Sequence, residues 1–171
     1  MKNTLLAATL VLGMTAPAFA EDPVKADRSG IYVGGFLGSS TEDKSRMTLG
    51  ADVGYQVGPY LRAELDIDRA WRTNSKDGYR VTVNGIGQYR IPNTVLTPYV
   101  IAGAGYAMDG IASIKNTNSQ VAVWNAGAGV RVGLSQNTEL DLRYREVRPF
   151  EAAKVSLKQD HVFTAGLNYR F

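Results

Sequence analysis

Between Leu61 and Asp68 the chain alternates without a break, with Leu61, Ala63, Leu65 and Ile67 at one set of positions and Arg62, Glu64, Asp66 and Asp68 at the other. Successive side chains of a strand point to opposite faces, so this segment has one apolar wall and one densely charged wall. The pattern returns from Thr138 to Arg148, where Leu140, Leu142 and Tyr144 oppose Glu139, Asp141, Arg143 and Arg145. A helix would scatter both sets around its circumference. Only an extended strand keeps them apart, and such a strand must divide an apolar medium from a polar one.

The same period of two organises the chain from residue 30 onward. Eight extended segments can be placed, at about Ile31–Gly38, Met47–Val57, Tyr60–Trp71, Tyr79–Ile91, Leu96–Ala107, Gln120–Leu134, Thr138–Arg148 and His161–Phe171. Gly58-Pro59, Pro92-Asn93-Thr94 and Ser135-Gln136-Asn137 make short links. The stretches 39–46, 72–78, 108–119 and 149–160 are longer and more polar. Strands of this length, with short and long links in strict alternation, fit a membrane barrel with tight turns on the periplasmic side and loops outside. The expected fold is all-β: an eight-stranded antiparallel up-and-down transmembrane β-barrel.

The first twenty residues read as a signal peptide. Lys2 is followed by an apolar run from Leu5 to Met14, and Ala18-Phe19-Ala20 fits a small-residue cleavage site. The apolar run is about ten residues, half of what a transmembrane helix needs. Residues 21–29 read as a flexible periplasmic N-terminal tail and 30–171 as the outer-membrane barrel domain. No later segment is a transmembrane helix, which leaves a closed barrel as the permitted way to span a bilayer.

Alternation alone does not say which wall faces lipid. A basic residue on the lipid face at mid-membrane costs about 2–4 kcal/mol, so four charges per strand belong inside. Gly127, Gly129 and Gly133 share the parity of Arg131, as if to make room for long Arg and Glu side chains in a narrow lumen. In the last segment Phe163, Ala165, Leu167, Tyr169 and Phe171 form the apolar face. Tyr55, Tyr60, Tyr89 and Phe171 fall near the short-turn ends, and Trp71, Tyr106 and Trp124 nearer the loop ends, as two interfacial girdles require. The first and fifth segments, with small or apolar residues on both sides, do not declare their faces.

Ser29-Gly30-Ile31-Tyr32-Val33-Gly34-Gly35-Phe36-Leu37-Gly38 resembles the first strand of the opacity-protein-like outer-membrane β-barrel family, whose small barrels are similar to the transmembrane domain of outer-membrane protein A. Residues 97–106, Trp124 to Val132 and Gly166 to Phe171 resemble its fifth strand, sixth strand and carboxyl-terminal signature. The resemblance implies an outer-membrane location and insertion by the barrel-assembly machinery, with Phe171 as part of the assembly signal. The outer loops look shorter than those of adhesive members.

Three functions compete. In the first, inward Asp52, Arg62, Glu64, Asp66, Arg80, Arg131, Glu139, Asp141, Arg143, Arg145 and Arg170 form a cross-barrel ion-pair network, because buried charges persist only when paired. The protein is then a structural surface antigen with a charge-filled lumen. The second is a narrow porin-like channel for small solutes or ions, disfavoured by a lumen of eight strands. The third is a lipid A-modifying enzyme. Lipid A deacylase barrels of this size carry His-x-Ser on one strand, whereas His161 is followed at position 163 by Phe. The expectation is therefore no enzyme.

Glu64, Asp66 and Asp68 imitate a glycosidase or calcium site, but Arg62 on the same face favours ion pairing. The chain has no cysteine and a single histidine, which excludes disulfides and thiolate or multi-histidine metal sites. No cofactor is expected. A net charge of +3 without basic blocks gives no argument for nucleic acid. The expected partners are outer-membrane lipid and lipopolysaccharide, with Lys154 and Lys158 in the last loop as the phosphate-contacting candidates. The sequence is silent on oligomeric state.

Overall fold

A computed structural model describes residues 29–40, 46–72, 78–108, 120–150 and 160–171. The leader, most of the tail, the outer-loop stretches and with them Lys154 and Lys158 lie outside the described residues. Eight strands run in order: β1 Gly30–Ser40, β2 Arg46–Gln56, β3 Leu61–Arg72, β4 Gly78–Gln88, β5 Leu96–Met108, β6 Val121–Gly133, β7 Thr138–Pro149 and β8 Asp160–Arg170. Each pairs antiparallel with its sequence neighbours, and β1 pairs with β8 to close the barrel. Closure leaves no unpaired sheet edge, which a hydrocarbon core demands.

The strand placement expected from alternation matches the observed ladder to within a residue or two, except at the end of β4. There the ladder stops at Gln88, three residues before Ile91, and 89–95 connect to β5. Backbone pairing with the chain beyond it nonetheless continues, Tyr89 N–H donating to Pro98 O at 3.0 Å and Ile91 N–H to Leu96 O at 3.1 Å, so the alternation of Tyr89 and Ile91 follows real cross-strand bonds. Asn93 takes a positive φ of 58° in this connection, and Gly58 a φ of 86° in the β2–β3 turn.

Burial follows sequence parity around the whole wall. Ile67, Val83, Val100 and Leu167 stand exposed on the outside, while Glu64, Asp66, Asp68 and Arg145 are buried within. Such an inside-out distribution is stable only in a lipid solvent. Tyr55, Tyr60, Tyr89, Tyr169 and Phe171 ring the turn end on the outer face, and Tyr79 and Tyr106 stand exposed at the loop end.

β1 and β5 declare their faces here. Tyr32 and Phe36 of β1 and Tyr99 and Ile101 of β5 point inward. Three of these are aromatic rings, and they correct the expected role of the inward glycines. A methyl group on Gly54 would strike the Tyr32 ring, one on Gly50 the Phe36 ring, and one on Gly129 the Tyr99 ring. These glycines seat rings rather than making room for long charged side chains, although Gly127 does lie against Arg145. Ring against glycine lets a bulky side chain enter a lumen that eight strands leave only just wide enough for side chains.

Candidate functional site: the barrel lumen

Strands β3 and β7 stand four places apart in a ring of eight, on opposite walls. Both run from the turn end to the loop end, so their inward residues meet at successive heights. Nearest the turns, Arg62 Nη2 donates to Glu139 Oε2 at 2.9 Å, and Arg170 Nη2 of β8 reaches Glu139 Oε1 at 2.7 Å. At mid-height Arg143 Nη1 donates to Glu64 Oε1 at 2.7 Å and its Nη2 to Asp141 Oδ2 at 2.9 Å. One step higher Arg145 Nη1 donates to Asp66 Oδ2 at 2.5 Å. Three guanidinium–carboxylate contacts therefore cross the full diameter, one above another.

The mid-height level is braced by two phenols. Tyr99 donates to Asp141 Oδ1 at 2.5 Å and accepts from Arg143 Nε at 2.9 Å. Tyr32 donates to Glu64 Oε2 at 2.8 Å. The Arg131 guanidinium lies 4.1 Å from the Tyr99 ring centre and donates to Gln88 Oε1 at 2.8 Å. Its Nε stands 3.4 Å from Asp141 Oδ2, an ion pair without a hydrogen bond. On the β3–β4 wall Arg80 grips both oxygens of Asp68, at 2.9 and 3.1 Å. Asn125 donates to Asn84 at 2.9 Å across the loop-side half.

Ten of the eleven lumen residues singled out in the sequence thus take part in ion pairs. Asp52 is the exception: it is inward and buried, and its Oδ1 has no hydrogen-bond partner among the described residues. It draws near Glu64 and Asp66, the three carboxylates having oxygens within 4.8 Å of one another. Arg143 and Arg145 already engage Glu64 and Asp66, so this trio is part of the ion-pair belt. Asp68, grouped with Glu64 and Asp66 by parity, belongs instead to Arg80.

Sequence reasoning missed Tyr32 and Tyr99 as members of this network, while Asp68, read with Glu64 and Asp66 as ion-paired, is indeed so. The signal for the tyrosines was the glycine across the ladder: Tyr32 pairs with Gly54 and Tyr99 with Gly129. A bulky residue opposite a glycine whose parity is already known to be inward is itself inward.

His161 lies on the other surface. It faces the lipid side at the loop end of β8, with its Nδ1 2.6 Å from the Tyr144 hydroxyl. Its ladder partner is Glu146, whose carboxylate pairs with Arg148. Phe171 stands 75% exposed at the turn end.

The model of the family described as outer membrane protein beta-barrel domain matches residues 6–171. No curated protein matches the sequence. Among solved structures, the N-terminal β-barrel domain of Pseudomonas aeruginosa OprF is similar over 84% of this chain and 100% of its own, with a TM-score of 0.67 and 17% identity. Neisserial surface protein A is similar over 84% of this chain and 98% of its own, with a TM-score of 0.66 and 18% identity. The outer membrane enzyme PagL is similar over 82% and 99%, with a TM-score of 0.60 and 12% identity. At these identities the likeness is one of fold, and the fold carries both enzymes and proteins not described as such. With a closed eight-stranded wall, an apolar exterior and a family match over nearly its whole length, the chain belongs to the outer membrane protein beta-barrel domain family and is an outer-membrane protein.

Proposed function

We propose that this protein is a non-conducting, non-catalytic barrel that anchors its outer loops at the cell surface as a structural surface antigen. The observation that carries this reading is the stacked set of contacts between β3 and β7. Arg62–Glu139, Arg143–Glu64 and Arg145–Asp66 occupy the diameter at three heights, in a lumen an eight-stranded wall leaves barely wide enough for side chains. Moving any of them aside separates buried charges, which costs several kcal/mol. The loops, the lipid around the wall and the lipopolysaccharide above it are then the contact surfaces. Lys154 and Lys158 are candidate phosphate contacts, and exchanging both for Glu is expected to lower lipopolysaccharide co-purification.

The test is single-channel recording in planar bilayers with the purified barrel. A flat baseline is expected, and reproducible conductance steps would overturn the reading. One observation favours a narrow channel as second reading: Arg131, Arg145 and Asp52 each carry buried polar atoms with no hydrogen-bond partner among the described residues, so the lumen offers sites to water. That channel predicts steps that grow in Arg143→Ala. The absence of catalysis is supported by position 163, where Phe stands in place of a nucleophilic hydroxyl two residues from His161. A lipid A mass spectrum unchanged by expressing the protein is the expected result, and a lost acyl chain the contrary one.

A further inference from the structure

The outer wall is not uniformly apolar, and its polar side chains are unevenly placed. The described strands carry outward Arg69, Glu146, Arg148 and His161, all in the loop-end half. Arg69 lies on β3, against the Tyr79 ring at 5.6 Å. The other three cluster on β7 and β8. Arg148 is ion-paired to Glu146 through Nε, lies 5.8 Å from the Trp124 ring centre and keeps a side chain 46% exposed. His161 stacks on Tyr144 at 5.9 Å with an interplanar angle of 13°.

Directly beneath this cluster the outer wall carries a shallow, open depression. A groove of about 830 Å³ is lined by apolar side chains including Leu37, Met47, Ala128, Leu142, Phe163 and Ala165. The ladder registers explain its shape. Ala128, Tyr144, Phe163, Ser39 and Met47 lie side by side across five strands, so two rings stand between small residues. The Tyr144 and Phe163 rings, 4.8 Å apart, form the upper wall of the groove. One step toward the loops comes the row of Ala126, Glu146 and His161, and the next holds Trp124 and Arg148. Polar cluster and groove share Tyr144. From Arg148 to Tyr144 the strand rises about 13 Å, so a headgroup at the first and acyl chains over the second lie at the depths one lipid molecule presents.

We propose that this face binds one molecule of the phosphorylated glycolipid of the outer leaflet, lipid A, with a phosphate against Arg148, its sugar beside Trp124 and His161, and an acyl chain in the groove. The occupant follows from position and charge. The longer connections of such barrels face outward, so the leaflet beside this cluster is the outer one, and its lipid is phosphorylated. A guanidinium on the lipid face costs far less at the interface than at mid-membrane, so Arg148 is tolerated there and available to an anion. The inference rests on the outer-leaflet orientation in the proposed function. It does not depend on lumen closure, so conductance steps would sink the plugged-platform reading and leave this one standing.

The test uses the full barrel refolded in detergent, in a Trp71→Phe background so that Trp124 is the only tryptophan. Purified lipid A, the same lipid A stripped of phosphate, and phosphatidylglycerol are titrated separately while Trp124 emission is followed. Lipid A is expected to give a saturable change. Arg148→Gln and Ala128→Phe are each expected to raise the half-saturating concentration about tenfold, with Arg69→Gln unchanged, each variant being checked for the heat-dependent gel shift of a folded barrel. Phosphate-free lipid A on the unaltered site should match Arg148→Gln, and phosphatidylglycerol should bind more weakly than lipid A. An unresponsive parent, equal half-saturation for all variants, or phosphatidylglycerol binding as well as lipid A would each overturn the proposal. The phosphate-free arm needs no substitution at the site, so it decides even where a variant does not fold.

Discussion

Replacing Arg143 by Gln removes the hub of the lumen. The side chain gives up two contacts to Glu64, one to Asp66, one to Asp141 and the one to the Tyr99 hydroxyl. Gln is close in length and carries no charge, so the cavity term is small and electrostatics dominate. Breaking a buried pair by removing one partner typically costs about 3–5 kcal/mol, because the surviving charge is stranded. Glu64 is buried and its remaining described partner is the Tyr32 hydroxyl, which places the loss at the upper part of that range. At 1.4 kcal/mol per tenfold, the folding equilibrium constant falls by roughly a hundredfold to a few thousandfold. The assay is reversible urea unfolding of the barrel in phospholipid vesicles, read by tryptophan emission and by the unheated gel band. A cycle with Glu64→Gln isolates the pair: with the carboxylate neutralised, losing Arg143 should cost less by about 1–3 kcal/mol. Arg148→Gln on the lipid side serves as control and should cost less than about 1 kcal/mol, as exposed pairs do. A loss below about 1 kcal/mol for Arg143→Gln, or strict additivity with Glu64→Gln, would refute the picture of a bolted lumen.

Gly129→Val should destabilise the barrel by about 1–3 kcal/mol through collision with the Tyr99 ring, and adding Tyr99→Ala should recover part of it, which urea midpoints will show. Gly58→Ala should cost about 1 kcal/mol from backbone conformation alone, since φ is 86° and nothing lies within 4 Å of an added methyl; a full loss of stability would mean the turn has a second role. Phe171→Ala, at an exposed terminal ring, should leave the refolded barrel heat-modifiable while lowering its outer-membrane yield in cells, and an unchanged yield would remove Phe171 from the assembly signal.

The wall was legible because a membrane barrel imposes one rule on every strand, and β3 and β7 obey it with charges too numerous to face lipid. Once Arg62 through Asp68 are inward, parity and antiparallel pairing carry the assignment from strand to strand. β1 and β5 resisted because their two faces do not differ in polarity: Tyr32 and Phe36 alternate with Val33 and Leu37, and Tyr99 and Ile101 with Val100 and Ala102. Hydropathy cannot choose between two apolar faces. Volume can, since an eight-stranded lumen accepts a ring only where the facing residue is glycine. The outward charges at the loop end escaped notice for the opposite reason. Glu146 and Arg148 continue the parity of Tyr144 but break its polarity, so the apolar face drawn from Leu140, Leu142 and Tyr144 stops short of them.

Which lumen charges pair with which was not legible, for a reason of dimension. Period two fixes the side of the wall a residue occupies but says nothing about its height relative to a strand across the barrel, and the decisive contacts run between the side chains of β3 and β7, which share no backbone ladder. Their relative height depends on the stagger accumulated over the intervening strands, a property of closure rather than of either sequence segment. Asp52 shows the local counterpart. It has the parity, burial and charge of a network member, yet the β2–β3 register sets it opposite Asp66 and beside Glu64, and no arginine reaches it with a hydrogen bond among the described residues. In a dry interior a bare carboxylate so placed would be ruinous, and its place here implies that the lumen around it is polar enough to hydrate it. The bolts between β3 and β7 and a hydrated pocket beside them then share one lumen, and Asp52→Asn, which keeps the shape and removes the charge, should stabilise the barrel where Arg143→Gln weakens it. Opposite signs from two charge-removing changes in one lumen would separate paired from unpaired charge directly, and a loss of stability in both would count against the hydrated pocket.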